Sequence, residues 1–210
     1  DPILGPEMRS TGEVLGLAEN FPLAFYKSQV GSGTACGAKT VQWTVFSDSP
    51  SSYAAKAAVS ELPHAPAAWE NKKVLISLSN KEGQKDQVLE IGKTLKNLGF
   101  TLVGTQGTAD FYNSNGIKCD VVNKIGAGRP DVVDLIMNKE VCLVINTPKA
   151  KRNYAEDRKT IRKACLKYKV SYITTIAGAL AAVKGIEAVK NGNGGEGGVK
   201  SLQEYHSLIR

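Results

Sequence analysis

Residues 117–147 read IKCDVVNKIGAGRPDVVDLIMNKEVCLVINT, and the changes of pattern within this stretch decide the fold class. Residues 117–122 are a short, mainly apolar run closed by Asn123 and Lys124, which predicts a strand. A turn built on Gly126 and Gly128 follows, and Pro130 opens a helix that runs to Met137. Residues 141–145 are then continuously apolar, as in a strand buried on both faces. Strand, helix and strand in so short a span predict parallel strands joined by a helical crossover.

Working outward, the same alternation continues in both directions. Residues 74–78 form an apolar strand. Val88, Ile91, Leu95 and Leu98 then recur at helical spacing until Gly99 closes the helix. Residues 100–103 make another strand, 105–108 a tight loop and 109–114 a short helix. Beyond the quoted stretch, a helix carrying Ile161, Ala164, Cys165 and Tyr168 leads into a strand at 171–174 and a further helix at 177–189. Five short strands alternating with helices predict an α/β fold, an open doubly wound parallel five-stranded sheet of the Rossmann-like three-layer kind.

In such a sheet, ligands bind beyond the carboxyl ends of the strands, where loops and helix N-termini present backbone N–H groups. The residues at and just after the strand ends are therefore the candidates. They are Ser77 and the polar loop 79–85 with Lys85, then Thr105, Gly107 and Thr108, then Lys124, then Asn146 and Thr147, and last Thr174 and Thr175. Hydroxyls, an amide and lysines on one edge suit a phosphate monoester. The same residue types also serve as N-caps and turns, so each loop taken alone has a structural reading as well.

Charge and composition narrow the partners. The protein has 210 residues and a formal charge of +7, with 42% hydrophobic and 22% charged residues. Its lysines are scattered and no basic run is interleaved with aromatics, so a small anion rather than nucleic acid is predicted. No apolar run approaches the roughly 20 residues that span a bilayer, so no membrane role is predicted. Cys36, Cys119, Cys142 and Cys165 lie far apart without a CxxC pair, which predicts free thiols in a reducing compartment and no metal site. His64 and His206 fall outside the alternating block, so no catalytic cluster can be drawn and no catalytic residue is assigned. Asp131 and Asp134 open a helix, where carboxylates favour the dipole, and are read as structural.

The segments EMRSTGEVLG (7–16) and FPLAF (21–25) resemble the end of the second ATP-grasp half of carbamoyl-phosphate synthase large chains. VNKIGAGRPDVVDLI, LVINTP and IRKACLKYKVSYITTIAGA resemble the methylglyoxal-synthase-like allosteric domain that follows it in that family. The resemblance divides the sequence into residues 1–35 as an ATP-grasp tail, 36–71 as an atypical linker or insert, 72–190 as the regulatory domain, and 191–210 as a glycine-rich linker and tail. It implies a phosphorylated effector of the UMP or IMP type, with Ser77, Lys85, Thr105, Thr108, Lys124 and Asn146 at the family's effector positions. It also implies that ATP and Mg²⁺ or Mn²⁺ act only in the full-length enzyme, so this chain holds no cofactor and is not catalytic alone. The remaining synthetase domains and a glutaminase small subunit are the implied partners, a homo-oligomer is a further candidate assembly, and the compartment is the cytoplasm or, in a eukaryote, an organelle interior. The parent reaction makes carbamoyl phosphate from bicarbonate and glutamine or ammonia for arginine and pyrimidine synthesis. Two alternatives stay open: a methylglyoxal-synthase-like lyase acting on dihydroxyacetone phosphate, and a non-binding structural or oligomerisation domain. The opening at Asp1, without Met, reads as a fragment or processed piece. Residues 1–35 are expected to expose Phe21, Leu23, Phe25 and Val30.

Overall fold

The computed structural model describes residues 14–36, 72–79, 82–147, 155–191 and 207. The expectations for residues 37–71, for His64 and His206, and for most of the tail beyond 191 lie outside the described residues.

Five parallel strands form one sheet: β1 (Lys73–Ser77), β2 (Thr101–Thr105), β3 (Cys119–Val122), β4 (Val141–Asn146) and β5 (Ser171–Ile173). Their order across the sheet is β3-β2-β1-β4-β5. Helices α1 (Phe21–Gly31), α2 (Lys85–Asn97), α3 (Gln106–Ser114) and α6 (Ile176–Lys190) pack on one face, and α4 (Val132–Met137) and α5 (Ala155–Tyr168) on the other. The fold is thus the doubly wound three-layer α/β arrangement that the alternating pattern predicts.

The core is split by the sheet. Val74, Ile76, Leu102, Leu143 and Ile145 meet Val88, Ile91 and Leu95 of α2 and Ala179, Val183 and Ile186 of α6 on one side. Leu75, Val103, Val122 and Val144 meet Leu135 and Ile136 of α4 and Ile161, Ala164 and Cys165 of α5 on the other. Alternate residues of each central strand therefore serve opposite layers, which is why these strands read as unbroken apolar runs. Each fully buried Leu or Ile contributes roughly 1.5–3 kcal/mol.

Local signals set the element ends. Gly99 takes φ +85° just past α2, a conformation that costs glycine nothing, and Phe100 N donates to Leu95 O at 3.0 Å. The helix expected from Pro130 begins at Val132 instead. Asp131 is its N-cap, accepting from Val133 N at 2.8 Å and Asp134 N at 3.1 Å, while Asp134 Oδ2 accepts from Asp131 N at 2.8 Å. This reciprocal capping box, with Arg129 paired to Asp134, fixes the start two residues past the proline. The tight loop expected at 105–108 is also revised: Thr105 ends β2 and Gln106 already begins α3, so Gly107 and Thr108 lie in a helical first turn.

Two expectations about the N-terminal segment are corrected. Phe21 is 68% exposed, but Tyr26 and Cys36 are buried and Phe25 and Val30 pack against the same core as α6. Gly185 makes this close approach workable, since a Cβ there would sit 2.5 Å from Pro22 O. Second, Cys36 and Cys142 are joined in a disulfide with Cα atoms 4.9 Å apart, so only Cys119 and Cys165 are free thiols. Docking of the segment after α1 brings Cys36 to β4, where the register with β1 shifts between Lys73 and Val74 and leaves Cys142 as the extra residue. No helix among the described residues is long and apolar enough to cross a membrane.

Candidate functional site

β1 and β4 are neighbours at the centre of the sheet, yet the backbone leaves β1 for α2 on one face and β4 for α5 on the other. The carboxyl ends of these two strands therefore splay their loops apart, which is where an open parallel sheet forms its crevice. A cavity of about 150 Å³ lies there.

Its polar wall is made by Ser77 and Ser79 from β1 and its loop, Thr105, Gly107 and Thr108 from the β2–α3 junction, Lys124 after β3, and Asn146 and Thr147 at the end of β4. Its apolar wall is Leu75, Leu78, Ile125, Val132, Val144 and Ile161, and Asp157 and Arg158 complete it from the first turns of α5. Ser77, Thr105 and Asn146 reach it because they share strand faces with Leu75, Val103 and Val144, the residues turned toward α4 and α5.

The loop after β1 is held from both sides by threonines. Leu78 N donates to Thr108 Oγ1 at 3.2 Å, and Ser79 N donates to Thr147 Oγ1 at 2.9 Å. The Thr147 N–H in turn donates to Ser77 O at 3.0 Å. Thr105 differs: it occupies the N-cap position of α3, but its hydroxyl makes no capping bond. A threonine at a helix start whose hydroxyl accepts no first-turn N–H leaves that hydroxyl for another partner.

The loop bearing Lys124 is closed at its base. Val132 N donates to Asn123 O at 3.2 Å and Asn123 Nδ2 donates to Pro130 O at 3.2 Å. Gly126 and Gly128 make the turn between, at φ +78° and +135°. Asn146 is 7% exposed, and its Nδ2 donates to Tyr172 Oη at 3.3 Å. Burial pushes the Tyr172 phenol above its ordinary range, partly offset by that hydrogen bond and by Arg158 and Arg162 nearby. With Lys124 and Arg158 against Asp157, the lining carries an excess of one positive charge.

Three candidates are not brought to this cavity. Lys85 is exposed at the start of α2. β5 ends at Ile173 on the sheet edge, so Thr174 is exposed away from the switch point, and Thr175 caps α6 by accepting from Gly178 N at 3.1 Å. Sequence reasoning missed Asp157 and Arg158, whose only signal was the acidic first turn of the helix after the fourth strand. The carboxylates of Asp131 and Asp134 are engaged in capping α4, as their reading as structural residues has it.

Among known proteins, the family model described as the MGS-like domain matches residues 87–174. The carbamoyl phosphate synthase large chain of Archaeoglobus fulgidus is 41% identical over 206 residues, 98% of this chain and 16% of that protein. The C-terminal sections of the large chain from Methanopyrus kandleri and Aquifex aeolicus are 38% identical over 190 residues and 36% identical over 210, covering 29% and 33% of those proteins. The present sequence thus spans a third or less of the length of these relatives. Their similarity covers nearly the whole of it, α1 included, and the strand ends that build the cavity fall within or beside the matched domain. The chain has an MGS-like domain and belongs with the C-terminal part of carbamoyl phosphate synthase large chains.

Proposed function

We propose that the cavity binds the phosphate of a nucleoside monophosphate of the UMP or IMP type, and that this chain is the effector-responsive end of a carbamoyl phosphate synthase large chain. The observation that carries the reading is the gathering of Ser77, Thr105, Thr108, Lys124, Asn146 and Thr147 around one cavity at the switch point. Hydroxyl and amide donors with a lysine answer the three acceptor oxygens and the charge of a phosphate monoester. Sites that enclose a drug-sized ligand hold roughly 300–1,000 Å³. A cavity of about 150 Å³ therefore takes the phosphate and the first part of the attached sugar, and the base extends through the mouth.

Residues 72–190 are the binding domain in this reading, and residues 1–35 are the end of the preceding synthetase unit. ATP with Mg²⁺ or Mn²⁺, bicarbonate, and ammonia or glutamine delivered through a glutaminase subunit belong to the parts of the large chain that this sequence does not include. The setting is the cytoplasm or an organelle interior. Titration calorimetry of the full 210-residue protein with UMP, IMP and inorganic phosphate tests the proposal. Saturable binding that Thr105→Ala weakens by roughly tenfold or more is expected for a lost hydrogen bond to a charged group. Binding unchanged by Thr105→Ala, or no binding of any of the three, overturns it.

A further inference from the structure

Ser171 and Tyr172 are consecutive on β5 and so point to opposite faces of the sheet. On one face Tyr172 Oη accepts from Asn146 Nδ2 at 3.3 Å, and Asn146 lines the cavity. On the other, Ser171 Oγ accepts from Gln29 Nε2 of α1 at 3.1 Å, across 142 positions of sequence. The two strands concerned are locked in register, Leu143 opposite Ser171 and Val144 opposite Tyr172. The segment that supplies Gln29 is also tied to β4 by the Cys36–Cys142 bond, near the start of the strand that Asn146 ends. Both strands that fix the Asn146 carboxamide are therefore held by the N-terminal segment on the face away from the cavity.

A carboxamide is planar and its nitrogen carries two protons. With one given to Tyr172, the directions of the second proton and of Oδ1 are fixed by the position of β5 against β4. A small displacement of β5 re-aims the donor facing the ligand, and seating a ligand on that donor holds β5 where Gln29 can reach Ser171.

We propose that Tyr172 is a positioning residue for Asn146 and that β5 couples the cavity to α1, so that ligand in the cavity and docking of α1 favour one another. The coupling rests on the reading of the cavity as a phosphate-ligand site and says how occupancy is passed to the segment that leads from the rest of the large chain. Contiguous hydrogen bonds alone do not establish coupling, and reciprocity does: whatever factor α1 docking adds to ligand affinity, the ligand must add to α1 docking.

The test uses the full 210-residue protein with UMP and inorganic phosphate as probes. Affinity is measured by calorimetry and α1 opening by amide hydrogen exchange, in the parent protein and in Gln29→Ala, Tyr172→Phe, Cys36→Ser and Thr105→Ala. Gln29→Ala, which touches no cavity residue, is expected to weaken the probe roughly fivefold or more, the lower end of ordinary coupling. In the parent, saturating probe is expected to slow exchange of the α1 amides by the same factor, and in Tyr172→Phe this slowing is lost while the melting curve without probe stays cooperative. Cys36→Ser should reduce affinity in the same direction. If Thr105→Ala weakens the probe but Gln29→Ala binds like the parent and α1 exchange ignores the probe, the cavity reading stands and the coupling is overturned. If Thr105→Ala binds like the parent, or the parent binds neither probe, the cavity reading fails and the coupling falls with it.

Discussion

Thr108 Oγ1 accepts the backbone N–H of Leu78 at 3.2 Å, and both residues are buried. A hydroxyl that resemblance places among the phosphate contacts is thus also the support of the loop after β1. Thr105, nearly one turn earlier, is half-buried and makes no such bond. The two threonines should separate in experiment, although sequence alone assigns both the same role.

Thr108→Ala is expected to lose about 1–3 kcal/mol of stability, the cost of leaving a buried N–H without its acceptor, together with ligand affinity. Thr105→Ala should lose affinity with a melting temperature close to that of the parent. Thermal melts with and without UMP read both quantities. Equal melting temperatures for the two variants would remove the structural role assigned to Thr108.

The cysteines make a count. Without reductant, the unfolded protein should titrate two thiols, and after reduction all four cysteines should react. In the folded protein even the two free thiols should react slowly. Burial pushes Cys119 and Cys165 up to about 12, which leaves roughly one thiol in ten thousand ionised at pH 8. Four thiols in unreduced, unfolded protein would remove the Cys36–Cys142 bond.

Acid should expose the pair that joins Lys73, at the start of β1, to Glu140, just before β4. The hydrogen bond from Lys73 holds the Glu140 carboxyl below its ordinary value. A carboxyl lowered on folding stabilises the fold above its unfolded pKa, and that contribution is lost as pH falls through the folded value. Glu140→Gln should therefore reduce the melting temperature slightly at pH 7, and the difference should shrink as pH falls through the folded value. Both partners are about a third exposed, so the effect at pH 7 is small. A difference that grows toward acid would have the wrong sign for this pair.

Asp131→Ala removes the acceptor of two N–H groups at the start of α4 and should cost about 1–2 kcal/mol. Incubation of the parent with dihydroxyacetone phosphate should give no methylglyoxal above a protein-free blank. Turnover that disappears in Asp131→Asn would show that this carboxylate works as a base.

The five strands were legible because their runs are largely apolar, as parallel strands covered on both faces must be. Ser77, Thr105, Lys124 and Asn146 were legible for a related reason: in a parallel sheet, sequence position just after a strand is also a position in space. That rule failed at Thr174 and Thr175, because it does not tell an edge strand from one beside the switch point. Asp157 and Arg158 were missed because they enter from the start of α5, past residues 148–154 rather than just after the strand. Docking of α1 depends on a glycine at 185, far along the sequence, and so leaves no local pattern in either helix. The partner of Cys36 lies 106 positions away. Nothing in the spacing of four scattered cysteines points to it.

The same bond has a topological effect. Cys36 is fastened to Cys142, and Lys73 is the register partner of Val141. Cys36 and Lys73 therefore stand against adjacent positions of one strand. Whatever lies between has its two ends already gathered, and each doubling of such a span adds only about 0.6 kcal/mol of closure entropy. Positions 36 and 73 thus form a port in the molecule, its two sides held together by the disulfide and by the pairing of β1 with β4.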